Sequence, residues 1–217
     1  MSKKGIIVSG GSIQDAFALQ MFCKIQPEYV IGVDSGLNFL YRNGINPTHI
    51  VGDFDSVDSE IITHYKTKTS IPIREFNPVK DATDTEIAVN LAIEIGVQEL
   101  WILGATGTRL DHVMANIQIL KSALEHGIKA WIVDECNRIS LWEKEIRLWK
   151  EDCFGKYFSI FPFGDEVKDV SIEGAKYPLL HYHMTNDESR CVSNERRDEE
   201  VIITFSEGIV ILMETRD

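Results

Sequence analysis

Two carboxylates stand one residue apart in the run VGDFDS at residues 51–56, where Asp53 and Asp55 follow a short apolar segment. In an extended strand, residues two apart project to the same face, so we expect both carboxylates to point the same way and Phe54 to turn into the core. Carboxylates this close repel each other unless a cation lies between them. Mg²⁺ takes one or two carboxylates together with substrate oxygens. The alternative is a polar loop with an Asx turn, which needs no ligand.

Similar polar clusters follow the other apolar segments that have the length of a strand. Because the carboxyl ends of parallel strands form the edge where α/β sheets bind ligands, these clusters together indicate a phosphate and metal site. The clusters lie at residues 9–12 (SGGS), at Asp34, at Asp53 and Asp55, at residues 80–84 (KDATD) and at residues 104–112 (GATGTRLDH).

Two of these clusters also have a structural explanation. The turn Ser9-Gly10-Gly11-Ser12 is either a set of backbone N–H donors for an anion or a tight turn between a strand and a helix. Thr83 and Glu86 have the spacing of a capping box, which predicts that a helix begins there.

Within the same clusters, Lys80 and Arg109 suit phosphate, since a guanidinium can bond two oxygens at once. We expect Asp111 to cap the following helix. His112, which shares a helix face with Asn116, is either a packed core residue or a site residue.

The elements that must position these residues alternate between strand and helix up to about residue 136 and then become short strands in quick succession. The first pattern predicts an α/β, Rossmann-like, mostly parallel sheet with helices on both faces. The second predicts an antiparallel β-sandwich. We therefore expect a first domain at residues 1–136 and a second domain at residues 137–217.

Composition narrows the classes of partner. The chain of 217 residues carries 34 acidic and 22 basic residues, a formal net charge of −12, which disfavours nucleic acid and anionic lipid. Its apolar runs are shorter than the roughly 18 residues of a membrane span. Its four cysteines form no C-x-x-C pair, which argues against zinc, and a reducing cytoplasm is the expected location.

Taken together, these motifs resemble the thiamine pyrophosphokinase (thiamin diphosphokinase) family of the bacterial type. The pieces that carry the resemblance occur in the family's order, and the GDFDS and GTRLDH runs in one chain are specific. They are VDSG at residues 33–36, GDFDS at 52–56, KDATD at 80–84, GATGTRLDH at 104–112 with Asn116, and VSNE at 192–195.

The resemblance implies transfer of a diphosphate from ATP to the hydroxyl of thiamine, giving thiamine diphosphate and AMP. It also implies that residues 1–136 form the ATP- and Mg-binding catalytic domain and residues 137–217 the thiamine-binding β-sandwich domain. A further implication is a homodimer with the thiamine site near the junction of domains from two subunits. Mg²⁺ is then expected on Asp53, Asp55 and Asp84. The remaining expected catalytic residues are Arg109 and Asp111. The expected ATP-binding residues are Ser9, Gly10, Gly11, Asp34, Lys80, Thr83, Thr106, Gly107, Arg109 and His112. The expected thiamine-binding residues are Asp81, Ser193 and Asn194, and either Asp81 or Asp55 accepts the hydroxyl proton.

Two other functions fit the same metal and phosphate half of the pattern. One is a related pyrophosphokinase that acts on a hydroxymethylpterin, which the second domain with Ser193 and Asn194 disfavours. The other is a non-catalytic sensor of a nucleotide or of thiamine, which the complete set of acidic residues disfavours because a sensor can lose metal ligands and still bind.

Overall fold

The computed structural model describes residues 2–75 and 82–217, and the chain divides into two compact units. The first unit ends at Glu135 and the second runs from Cys136 to Asp217. None of the described helices is long and apolar enough to cross a membrane.

Strands and helices alternate throughout the first unit, as the apolar segments and their polar connections predict. All of its described strand pairs are parallel, and the strand order is β6-β5-β1-β2-β3-β4. Its elements are β1 (Lys4–Val8), α1 (Asp15–Ile25), β2 (Tyr29–Val33), α2 (Gly36–Arg42), β3 (His49–Gly52), α3 (Ser59–Lys68), β4 (Ile73–Glu75), α4 (Asp84–Glu94), β5 (Glu99–Leu103), α5 (Leu110–Glu125) and β6 (Lys129–Val133).

The central strands of this sheet form the core of the first unit. Ile7 on β1 lies beside Ile31 on β2 and Ile102 on β5, and all three side chains are fully buried. Near-continuous burial along a strand is typical of a parallel sheet that is covered on its faces. Because the chain runs from β1 out to β4 and then returns to β5 on the other side of β1, the strand order reverses between β1 and β5. Ligands of open α/β sheets bind at such a point.

The second unit consists of two antiparallel sheets, in the orders β12-β9-β14-β7 and β11-β10-β13-β8. Its strands are β7 (Asn137–Trp142), β8 (Ile146–Trp149), β9 (Tyr157–Pro162), β10 (Glu166–Glu173), β11 (Leu179–Thr185), β12 (Asn194–Glu195), β13 (Glu200–Thr204) and β14 (Val210–Thr215). Ile160 and Leu212 of one sheet share a buried cluster with Val170 and Ile203 of the other. This packing makes a β-sandwich, and the predicted fold class is confirmed.

A buried ion cluster within the second unit lies at the carboxyl end of β14. Glu214 on β14 is only 2% exposed and accepts hydrogen bonds from Arg138 and Arg196. The Arg196 guanidinium also donates to the Gly155 carbonyl, and its side chain is 8% exposed. Removing one partner of a buried pair leaves the other charge without compensation, which destabilises a protein far more than the loss of a surface pair.

We therefore expect Glu214→Ala to lower the free energy of unfolding by about 3–5 kcal/mol, because Arg196 is left buried without its carboxylate. The matched control is Glu207→Ala, which removes an exposed ion pair with Lys168 and is expected to cost less than about 1 kcal/mol. Urea denaturation measures both losses. A loss for Glu214→Ala that does not exceed that of the control would contradict a stabilising role for the cluster.

Candidate functional site

A cavity of about 550 Å³ lies in the first unit at the carboxyl ends of its strands. Its lining combines the turns after β1 and β5, the end of β2 and the start of α4. The predicted site residues that line it are Ser9, Gly10, Gly11, Asp34, Thr83, Asp84, Thr106, Gly107, Arg109 and His112. Asp53, Asp55 and Asp111 do not line the cavity. Lys80 and Asp81 lie outside the described residues.

The turns after β1 and β5 are joined by backbone hydrogen bonds. The Gly11 N–H donates to the Gly104 carbonyl at 2.7 Å, and the Ser12 N–H donates to the Thr106 carbonyl at 2.9 Å. A Cβ on Gly11 would lie 2.3 Å from the Thr106 oxygen, so only glycine permits this approach. Close packing of the two turns therefore explains Gly11 and Ser12 without a ligand.

Two further side chains fix these turns, through contacts that the sequence does not predict. Asn116 on α5 is buried and donates from Nδ2 to the Ala105 carbonyl at 2.8 Å. Ser9 is also buried, and its Oγ lies 2.8 Å from the Thr85 Oγ1. The signal for Asn116 was its place four residues after His112. Nothing local in the sequence indicates that Ser9 and Thr85 meet.

The start of α4 is capped as the spacing of Thr83 and Glu86 predicts. The Thr83 side chain accepts a hydrogen bond from the Glu86 N–H at 3.2 Å. Asp84 is the first residue of the helix, and Thr85, which follows it, is tied to Ser9. The cap and this side-chain contact therefore hold the Asp84 backbone at the cavity wall.

The side chains of Asp34, Asp53 and Asp84 form a carboxylate cluster at the edge of the sheet. Asp34 follows β2 with a left-handed backbone (φ 43°), and its Oδ1 is buried without a hydrogen-bond partner among the described residues. Burial, followed by the charge of Asp84, a hydrogen bond shared with the Asp84 carboxyl and the charge of Asp53, raises the pKa of Asp34 to about 7. A hydrogen bond from the Phe54 N–H opposes this shift.

The expectation that Asp53 and Asp55 lie on one face of an extended strand was wrong. Strand β3 ends at Gly52, and Phe54 adopts a left-handed conformation (φ 63°) that turns the chain while its ring remains buried. The Asp55 N–H donates to the Asp53 Oδ1 at 3.2 Å, as in an Asx turn. A Cβ on Gly52 would lie 2.0 Å from the Asp34 Oδ1, so Gly52 gives the Asp34 carboxyl its space.

Arg109 and Asp111 form an exposed ion pair at the cavity. Their side chains are 69% and 64% exposed, and the Arg109 Nη2 lies 2.6 Å from the Asp111 Oδ2. The hydrogen bond between them raises the pKa of Arg109 and lowers the pKa of Asp111. The expectation that Asp111 caps α5 was wrong, because the capping position is Arg109 and it makes no side-chain cap bond. Exposed pairs of this kind rearrange at little cost.

This carboxylate cluster suits a hard cation such as Mg²⁺, since all its donor atoms are oxygens and one of them, Asp34 Oδ1, is buried without a hydrogen-bond partner among the described residues. Within the described ranges, however, no three His, Cys, Asp or Glu side chains are arranged to hold a metal ion by themselves. A metal bound by these described side chains would take further oxygen ligands.

The second unit contains a smaller cavity of about 390 Å³, and Asn194 lines it together with Tyr177, Pro178 and Val192. Ser193 is exposed, has a left-handed backbone (φ 57°) and donates its N–H to the Ser159 Oγ at 2.9 Å. Of the predicted residues, Asn194 therefore lines this cavity, and Ser193 is its neighbour in the chain.

Comparison with known proteins gives two family matches in chain order. Residues 24–132 match the family model described as thiamin pyrophosphokinase, catalytic domain. Residues 143–210 match the one described as thiamin pyrophosphokinase, vitamin B1 binding domain. A curated relative, the thiamine pyrophosphokinase of Bacillus subtilis, is 32% identical over 187 residues, which are 86% of this chain and 87% of that protein.

Solved structures agree over nearly the whole chain. The crystal structure of the Bacillus subtilis thiamine pyrophosphokinase has a TM-score of 0.88 at 31% identity and covers 99% of this chain and 100% of that one. The structure of the Geobacillus thermodenitrificans thiamin pyrophosphokinase has a TM-score of 0.84 at 28% identity, covering 99% and 98%. Yeast thiamin pyrophosphokinase shares the fold at 16% identity, with a TM-score of 0.81 over 99% and 86% of the two chains.

The raised pKa of Asp34 makes the stability of the protein depend on pH. A folded-state pKa above the unfolded value of about 3.9 means that the folded protein retains a proton that the unfolded chain releases. The contribution is complete below the unfolded pKa and is lost as pH rises through about 7. We expect Asp34→Asn to reduce this loss by on the order of 1 kcal/mol, a value lowered because the carboxyl is partly solvated.

Urea denaturation with a chelator, at about pH 5 and about pH 8, measures this difference. Asp58→Asn, at the exposed aspartate that precedes α3 and makes no side-chain cap bond, is the matched control and is expected to follow the parent protein. If Asp34→Asn shows the same pH dependence as the parent, the crowding of the carboxylates is not a source of instability.

Proposed function

The chain belongs to the thiamin pyrophosphokinase family, and we propose that it transfers a diphosphate group from ATP to the hydroxyl of thiamine, giving thiamine diphosphate and AMP. The observation that carries this proposal is the cavity lined by the turns after β1 and β5, the end of β2 and the start of α4. It combines backbone turns, Arg109 and a crowded carboxylate at Asp34. Such a site suits a polyphosphate that arrives with a cation.

We propose that Mg²⁺ is the cation and that Asp53, Asp55 and Asp84 hold it, with Asp34 in the same acidic environment. Because the described side chains do not form a complete metal site, ATP phosphate oxygens are the natural additional ligands. When bound, the metal neutralises phosphate charge and orients the diphosphate.

The residues of the chain itself then bind and orient the nucleotide. Ser9, Gly10, Gly11, Thr83, Thr106, Gly107 and His112 are proposed to place ATP in the cavity, and Asp34 is proposed to help. Arg109 and Lys80 complement the phosphate charge, and Asp111 restrains the Arg109 guanidinium until phosphate competes for it. Transfer of this kind depends mostly on positioning and on charge neutralisation.

In the transfer step, the thiamine hydroxyl oxygen attacks the β-phosphorus in line. A new oxygen–phosphorus bond forms, the bond between the β-phosphorus and the α,β-bridging oxygen breaks, and AMP leaves with that oxygen. The hydroxyl proton passes to a carboxylate, for which Asp81 and Asp55 remain the proposed acceptors.

Thiamine is proposed to bind through the second unit, where the segment with Ser193 and Asn194 borders the smaller cavity. The net charge of −12 is compatible with a substrate that carries a fixed thiazolium cation. We further propose a homodimer, which size-exclusion chromatography with light scattering tests. The cytoplasm remains the proposed location, since the four cysteines are free thiols.

The function is tested by measuring AMP formation from ATP and Mg²⁺ with and without thiamine. AMP that depends on thiamine and appears together with thiamine diphosphate supports the proposal. AMP that depends on a hydroxymethylpterin but not on thiamine would replace it with the related pyrophosphokinase. Binding of ATP or thiamine without turnover would replace it with a sensor.

Substitution of single carboxylates tests the metal ligands. We expect Asp53→Asn and Asp84→Asn to lower kcat by at least about 100-fold while the thermal unfolding midpoint stays close to the parent's, because each loses charge without losing shape. Asp55→Asn reports separately on the third proposed ligand, and the exposed Asp58→Asn is the matched control. Full activity in Asp53→Asn or Asp84→Asn would exclude that residue as a metal ligand.

A further inference from the structure

Two segments of the second unit lie side by side at the wall of the smaller cavity. Ala175 and Arg196 form an isolated β-bridge, and the Lys176 N–H donates to the Glu195 carbonyl at 2.8 Å. At the next residue of each segment a side chain replaces the backbone partner. The Tyr177 N–H donates to the Asn194 Oδ1 at 3.0 Å, and the Asn194 Nδ2 donates to the Tyr177 carbonyl at 2.8 Å.

The Asn194 carboxamide therefore takes the place of a peptide group in the pairing of the two segments. It is 4% exposed, and its Oδ1 also accepts a hydrogen bond from the Glu195 N–H at 2.9 Å. A carboxamide oxygen has two lone pairs and a carboxamide nitrogen has two hydrogens. Both lone pairs and one hydrogen are thus committed within the protein, and the oxygen has no capacity left for a ligand.

Tyr177 is the residue that this arrangement positions. The residue is 57% exposed and lines the cavity, while both polar groups of its backbone are bonded to Asn194. Pro178, which also lines the cavity, has no N–H and a fixed φ, so it offers no further backbone donor to anchor the segment. The Asn194 carboxamide thus fixes the Tyr177 backbone from which the ring projects.

On the opposite side, Asn194 is itself held in the sandwich. It pairs with Phe158 of β9, a side chain that is fully buried, and Glu195 pairs with Tyr157. The carboxamide thus connects the sheet at β9 to the Tyr177 backbone at the cavity wall. A side chain with its own rotamer fixed in this way can hold a neighbouring segment to within a fraction of an ångström.

We propose that Asn194 is a positioning residue for thiamine: it holds Tyr177 as the wall of the cavity that receives the aromatic part of the acceptor substrate, and it acts through Tyr177. The proposal rests on the function proposed above and extends it by separating a residue that shapes the site from a residue that contacts substrate. An aromatic ring held at a fixed angle binds a flat heteroaromatic ring better than a mobile one, because less freedom is lost on binding.

The test compares Asn194→Ala, Tyr177→Ala and the double variant with the parent. Each single substitution is expected to raise the KM for thiamine by about tenfold while the KM for ATP changes by less than about twofold. If Asn194 acts through Tyr177, the double variant is expected to stay within about threefold of the larger single effect. Asn186→Ala is the matched control, since Asn186 also donates to a backbone carbonyl in this unit but lies away from the cavity.

Asn194→Asp separates positioning from direct contact by the sign of its effect. The carboxylate keeps an acceptor for the Tyr177 N–H but places an oxygen against the Tyr177 carbonyl, so positioning predicts a higher KM for thiamine. Direct contact predicts a lower KM, because a carboxylate attracts the thiazolium cation. This variant also decides the question if Asn194→Ala fails to fold.

Three results would overturn the proposal. The first is a double-variant KM equal to the product of the two single effects, about 100-fold above the parent, which would mean that the two residues act independently. The second is an unchanged KM for thiamine in Tyr177→Ala. An unchanged KM for thiamine in Asn194→Ala would count equally, provided that a lowered unfolding midpoint of this variant shows that the Asn194 contacts are lost. The third is a parent protein that forms no AMP with thiamine, which alone would also contradict the proposed function.

Discussion

The rest of the site depends on the crowding of three carboxylates around a partly buried position. Asp34 meets Asp84 and Asp53 where water is scarce, and its pKa rises to about 7 for that reason. Carboxylates crowded in this way are stable only while a proton or a cation lies between them. The fold maintains the crowding with the left-handed backbone of Asp34, the missing side chain at Gly52 and the capped start of α4.

The topology of the sheet brings two backbone turns close to these carboxylates. Because β5 returns to the side of β1 opposite β2, the turns after β1 and β5 face each other and bond through their backbones. Asn116 fixes the second turn, and Ser9 ties the first turn to Thr85, next to Asp84. The acidic residues and the turns that suit phosphate are thereby held by the same few contacts, so a change in one is expected to disturb the other.

The sequence predicts the fold well because strand burial and the change from alternating elements to successive strands are local patterns. It also predicts the cap at Thr83, which spans three residues. It does not predict the left-handed Phe54, since a bulky residue seldom adopts that conformation, and so the arrangement of Asp53 and Asp55 was wrong. The contacts of Ser9 with Thr85 and of Asn194 with Tyr177 join residues 76 and 17 positions apart, and only the folded chain brings them together.

Whether a metal ion joins ATP to the carboxylates is tested most directly by calorimetric titration with α,β-methylene ATP, in which the bond to be broken is replaced. The titration is done once with Mg²⁺ and once with a chelator. We expect binding at least about tenfold tighter with Mg²⁺, because three carboxylates repel a bare polyphosphate and a cation bound between them and the phosphates offsets that repulsion. Equal affinity under both conditions would contradict the assignment of this carboxylate cluster as the metal and phosphate site.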